Sequence, residues 1–299
     1  MNQIFDKLFL RVLLSVVILL SLILYRYISH LIYFKDRKFS LNAIYPEKNL
    51  AHGIYFGSRL LGIVLVMSNF SFDLSHGPII SIIELLLDAL IITIFYFLAV
   101  YIFESIILFN FSLSDEVYKQ SNLSYSIVNG GISLSTAYLI QRAYLISHGS
   151  YLDMLFLWLF LVVLYGFAIK TFKLIFQINL SKSIIQNHSH TSFHFFGFLW
   201  AWAIMISNST QSNLVSYPSY IASSGLGVAL NIIIFPLFYY GISKIFLIRI
   251  YIRPGLENNE LRNSGLFEGV HLIISAYLTT VITSQVSFGT FYPSSSVAF

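Results

Sequence analysis

Arg59, Glu84 and Asp88 lie inside otherwise apolar stretches of this chain, where an ionisable group is costly to keep and therefore informative. Arg59 stands in Gly57-Ser58-Arg59-Leu60-Leu61-Gly62, and Glu84 and Asp88 stand four apart in the next apolar stretch, so both carboxylates share one helical face. The chemistry on offer is an internal ion pair. It has two readings: a relay or counter-ion for a proton, an ion or a substrate, and a charge pair that fixes helix register. In an antiparallel helix pair joined by a short loop, ~1.5 Å of rise per residue brings Asp88 within reach of the long Arg59 side chain. Whether Arg59 meets Glu84 or Asp88 stays open.

A second polar set is Asn129, Glu268 and His271. Glu268 and His271 are three apart and share a helical face. With Asn129 at matching depth in the other half of the chain, the three are expected to form a central polar site able to take a cation. One Glu-x-x-His copy falls short of the paired motifs of di-metal bundles. His188, His190 and His194 lie at the start of another apolar stretch. The i, i+4 spacing of His190 and His194 suits a metal, but no third ligand accompanies them, and they read as a polar, partly solvated helix start. No metal site, cofactor or catalytic residue is assigned. The chain has no Gly-rich phosphate loop with a Lys-Ser/Thr pair, no Gly-x-Ser-x-Gly elbow and no His-Glu-x-x-His, which leaves an intramembrane enzyme open but unsupported.

The elements that must position these residues follow from composition. Of 299 residues, 57% are hydrophobic and 10% charged, and the mean hydropathy is +0.77, outside the range of soluble domains. The chain reads as an all-α, polytopic integral membrane protein. Its net charge of +4 belongs to Lys and Arg beside apolar spans, where they face lipid headgroups rather than nucleic acid. The absence of cysteine excludes disulfides and thiolate chemistry.

Eight segments are long enough to cross a bilayer at ~20 residues each: about 8–34, 50–70, 79–109, 123–146, 152–177, 191–208, 222–250 and 265–287. The first is too long for a signal-peptide core and reads as a retained helix. Polar punctuation such as Lys35-Asp36-Arg37-Lys38 and Glu257-Asn258-Asn259-Glu260 separates them. Pro236 marks an expected kink. Arg59 aside, most Lys and Arg fall at one set of span ends, and Lys7, Arg11 and Arg142 at the other. By the positive-inside rule, both termini are expected outside the cytoplasm.

The halves echo one another at an offset of about 140 residues. Ile206-Ser207-Asn208 follows Met67-Ser68-Asn69, Gly197 falls where Gly57 does, and Glu268-Gly269 falls where Asn129-Gly130 does. The expectation is about eight transmembrane helices in two four-helix repeats, 1–148 and 149–299, in parallel orientation. Tyr45-Pro46-Glu47-Lys48-Asn49-Leu50-Ala51, leading to Gly57 and Gly62, and Asn122-Leu123-Ser124-Tyr125-Ser126-Ile127 after a Ser-Asp-Glu turn resemble the YjfL-like domain-of-unknown-function 350 family of bacterial inner-membrane proteins. The resemblance covers about 8–146 and, more weakly, 150–288, and implies a tandem pair of four-helix units. It departs from the family where Ile, Phe and Ser replace alanine-rich helix faces and where the second half lacks the proline turn. It implies location and architecture but no reaction. The functional expectation is an ion or small-solute transporter or channel; the alternative is a structural or scaffold subunit of a membrane assembly. Expected partners are the lipid bilayer and either further copies of the chain or a membrane partner subunit, with no nucleic acid.

Overall fold

The computed structural model describes residues 2–33, 49–70, 77–147, 149–176, 178–212, 214, 216–245, 259–284 and 286. The punctuation at Lys35 to Lys38, the family-like residues Tyr45 to Lys48, Glu257, Asn258 and the tail after 286 lie outside them. The chain divides into two compact units, Met1–Leu145 and Ile146–Phe299.

In the first unit, α1 spans Asn2–Tyr33, α2 Leu50–Met67, α3 Pro78–Ile107 and α4 Leu123–Ser147, with a π-helical turn at Ser114–Lys119 before α4. In the second, α5 spans Tyr151–Phe176, α6 Leu180–Ile185, α7 Ser189–Ser209, α8 Tyr217–Ile245 and α9 Asn259–Thr283. Among the described residues, each of the eight apolar segments holds a helix, despite its richness in Ile, Phe and Tyr, because a helix satisfies its backbone groups internally where no water can. Local signals set the ends. Asn49 caps α2 by accepting from the His52 amide at 3.2 Å. Gly77, at φ +90°, precedes Pro78 at the first turn of α3. α8 runs through Pro236 as one helix.

Among the described residues, six helices are long and apolar enough to cross a membrane: α1, α2, α3, α5, α8 and α9. Their outward side chains are large and apolar, as at Leu19, Leu90, Val163 and Ile233, the reverse of a soluble surface. α4 and α7 fall short by composition, yet they are the helices with the longest buried runs. Asn129, Ser133, Ser135 and Thr136 of α4 are all buried. Polar residues excluded from the lipid face are collected on inner helices, where neighbouring helices can bond them. The protein is an all-helical, multi-pass membrane protein.

Candidate functional site

In the first unit, Arg59 of α2 is buried and donates to the Glu104 carboxylate of α3. The same guanidinium nitrogen donates to Asn129 Oδ1 of α4 at 3.3 Å, and Asn129 Nδ2 donates to the same Glu104 oxygen. Three helices therefore meet at one closed ring of charge-assisted hydrogen bonds. The Tyr55 ring lies 5.4 Å from the guanidinium carbon and adds a cation–π contact. One helical turn further along α2, Tyr96 and Ser133 bond at 2.5 Å, and Ser133 donates to the Ser58 carbonyl at 3.2 Å. Tyr96 lies so close over Gly62 that a β-carbon there would meet its hydroxyl.

Glu104 is absent from the set that spacing singled out. Asp88 instead accepts from the Tyr144 hydroxyl of α4 at 2.8 Å, and Glu84 is an exposed residue of α3. Glu104 lies sixteen residues beyond Asp88 on one helix, about 24 Å along its axis, so an Arg59 bonded to Glu104 is out of reach of Asp88 and Glu84. The reason is helix length. α3 has 30 residues against 18 for α2, and α2 lies along the later part of α3, whereas a hairpin reading places the helix ends level. The available signal was a third carboxylate in the same apolar segment, closer to Asn129 in sequence.

Two family-like asparagines also have physical roles. Asn49, besides capping α2, donates from Nδ2 to the Val117 carbonyl at 2.9 Å, and Asn122 donates to Glu116 Oε2 at 2.7 Å. Both tie helix starts to the π-helical turn.

In the second unit, glycine decides the geometry. A β-carbon on Gly197 of α7 would overlap the Gly269 backbone of α9, one on Gly265 would overlap the His190 backbone, and one on Gly269 would come 2.6 Å from the Phe193 carbonyl. This backbone-to-backbone crossing carries Glu268 in beside α7. Glu268 Oε2 lies 3.8 Å from His194 Nδ1 and 3.9 Å from His190 Nε2, beyond hydrogen-bond length in both cases. Glu268 is 5% exposed and His194 1%. Both His194 ring nitrogens and His271 Nδ1 are buried with no hydrogen-bond partner. His194 is therefore not part of a solvated helix start. It is packed against the rings of Phe176 at 4.5 Å and Phe172 at 5.6 Å, both from α5. His271 stacks on Tyr239 of α8 at 4.7 Å, and its Nε2 is 3.5 Å from Ser243 Oγ.

Of the expected central polar site, Asn129 is committed to Arg59 and Glu104 in the first unit, while Glu268 and His271 belong to the histidine cluster of the second. Among the described residues, no group of three His, Asp or Glu side chains is arranged to hold a metal ion.

Residues 4–144 match the family model described as Domain of Unknown Function (DUF350). The match supports the family resemblance for the first unit and stops short of the second. No curated protein and no solved structure matches the chain.

Proposed function

We propose that this multi-pass membrane protein, whose first unit matches the DUF350 model, carries a cation across the membrane as a transporter or channel, with Glu268 as the binding step. The observation that carries the reading is the state of Glu268: buried in a membrane helix, with no hydrogen bond reaching its carboxylate among the described residues. A carboxylate held this way has a strong electrostatic demand for a positive partner that its surroundings do not permanently fill. An ion that enters and leaves meets that demand.

The first unit favours a different role for its own charges. Arg59, Glu104 and Asn129 bond one another in a closed ring across three helices, which supports a structural clamp there rather than a pathway. The sequence echo supports treating the two units as copies of one four-helix design in which one copy is a frame and the other holds the site. The placement of Lys and Arg favours both termini outside the cytoplasm, and the family resemblance favours a bacterial inner membrane.

The test is ion flux into proteoliposomes, comparing the unaltered chain with Glu268→Gln and Asp88→Asn. The expected result is flux in the unaltered chain, lost in Glu268→Gln and kept in Asp88→Asn. A silent unaltered chain beside a working control protein would move the assignment to the scaffold reading, for which co-purification in mild detergent is the next measurement.

A further inference from the structure

Shifting residue numbers by 139 aligns the two clusters. Asn129 falls on Glu268, Gly130 on Gly269, Glu104 on Ser243, Arg59 on Phe198 and Tyr55 on His194. In the first unit the carboxylate is on α3 and faces a guanidinium, a cation that never loses its proton. In the second unit the α3-like position is Ser243 and the Arg59-like position is Phe198. The carboxylate has moved to α9, opposite an imidazole, which unlike a guanidinium can stay neutral and accept a hydrogen bond through a ring nitrogen. A permanent ion pair has been replaced by a titratable one.

We infer that Glu268 and His194 form a proton-binding pair, which takes one proton between Glu268 Oε2 and His194 Nδ1, and that His190 is the group through which this proton is exchanged. The inference rests on the transport reading for its purpose but not for its chemistry. With one proton, the pair is neutral overall: the carboxyl O–H donates to an imidazole nitrogen that otherwise has no partner. Without it, a bare carboxylate remains among aromatic rings; with two, an imidazolium does. Either charged state carries the desolvation cost of an unpaired ion in a dry site. Closing 3.8 Å to hydrogen-bond length needs a shift of about 1 Å, within side-chain rotation.

The groups facing the pair on each packed helix agree with this. α5 supplies Phe172 and Phe176, which do not titrate. α7 supplies His190, whose side chain is 23% exposed while that of His194 is 1%, so an exchange route leads from the buried to the wetter imidazole past one carboxylate oxygen. α8 supplies Tyr239 and Ser243, and α9 adds His271, held between those two. Among the described residues, the basic groups within 4.0 Å of Glu268 are His190 and His194, each an imidazole that is charged only when protonated.

The experiment is infrared difference spectroscopy of the purified full-length protein in lipid across pH, read at the carboxylic C=O stretch and run beside the flux assay on the same preparations. A protonated-carboxyl band is expected in the unaltered chain, lost in Glu268→Gln and shifted to higher frequency in His194→Phe, where the O–H loses its acceptor. Should His194→Phe fail to fold, His194→Gln, which keeps an acceptor, is expected to retain a bonded band. The band persisting unchanged in Glu268→Gln, or absent at every pH where the fold survives, would overturn the pair. Stoichiometric retention of Zn²⁺, lost in both variants, would overturn it in favour of a metal. The band with no flux keeps the proton site and removes the transport reading; flux of Na⁺ or K⁺ with no band does the opposite.

Discussion

Arg59 and Glu104 are tied together by the cost of separating them. Arg59 is buried and Glu104 largely so, and a lone guanidinium in that position has neither water nor a counter-charge. Glu104→Leu is therefore expected to destabilise the protein by about 3–5 kcal/mol, while Arg59→Leu combined with Glu104→Leu recovers much of the loss. Thermal unfolding in detergent reads the difference, and a double variant as unstable as Glu104→Leu alone would show that the clamp is not what the pair contributes. Tyr144→Phe gives the contrast: removing a single hydroxyl from Asp88 is expected to cost about 1 kcal/mol. At this scale the sequence singled out Arg59 but set it beside Glu84 and Asp88, and it grouped Asn129 with Glu268 and His271. Residue type is visible in the chain; depth along a helix depends on where its neighbour ends.

The α7–α9 crossing shows how an element carries a site. Gly197, Gly265 and Gly269 allow backbone contact, and that contact is what sets the Glu268 carboxylate beside His190 and His194. Gly197→Leu is expected to abolish folding, since the added atoms would overlap α9 backbone rather than a movable side-chain tip. Gly225→Ala on α8 is expected to be neutral or to stabilise by about 0.5–1 kcal/mol, because nothing lies near its added carbon and alanine has less freedom to lose in a helix. Expression and monodispersity on size-exclusion chromatography separate the two. The helices themselves were legible from their apolar lengths. The inner place of α4 and α7 was not, because Ser, Asn and Thr lower their hydropathy, and only packing shows that those residues face other helices.

For the whole molecule, orientation is the open quantity that charge predicts. The chain has no cysteine, so single replacements report without background. With Gln120→Cys beside the basic Lys119 end and Gln211→Cys in a stretch without Lys or Arg, a membrane-impermeant maleimide applied to intact cells is expected to label the second and spare the first. The reverse pattern would invert the topology. By itself the sequence determined the membrane setting and the helical class, because a chain this apolar has no other way to satisfy its backbone in lipid. It also showed how few ionisable groups the apolar segments hold, Arg59 among them, without showing which carboxylate meets it. Tertiary structure alone decided that Arg59 is clamped by Glu104 and that Glu268 faces two imidazoles. The first depends on where α2 lies along α3 and the second on the glycine-backed approach of α7 and α9, which are properties of packing that no local spacing encodes.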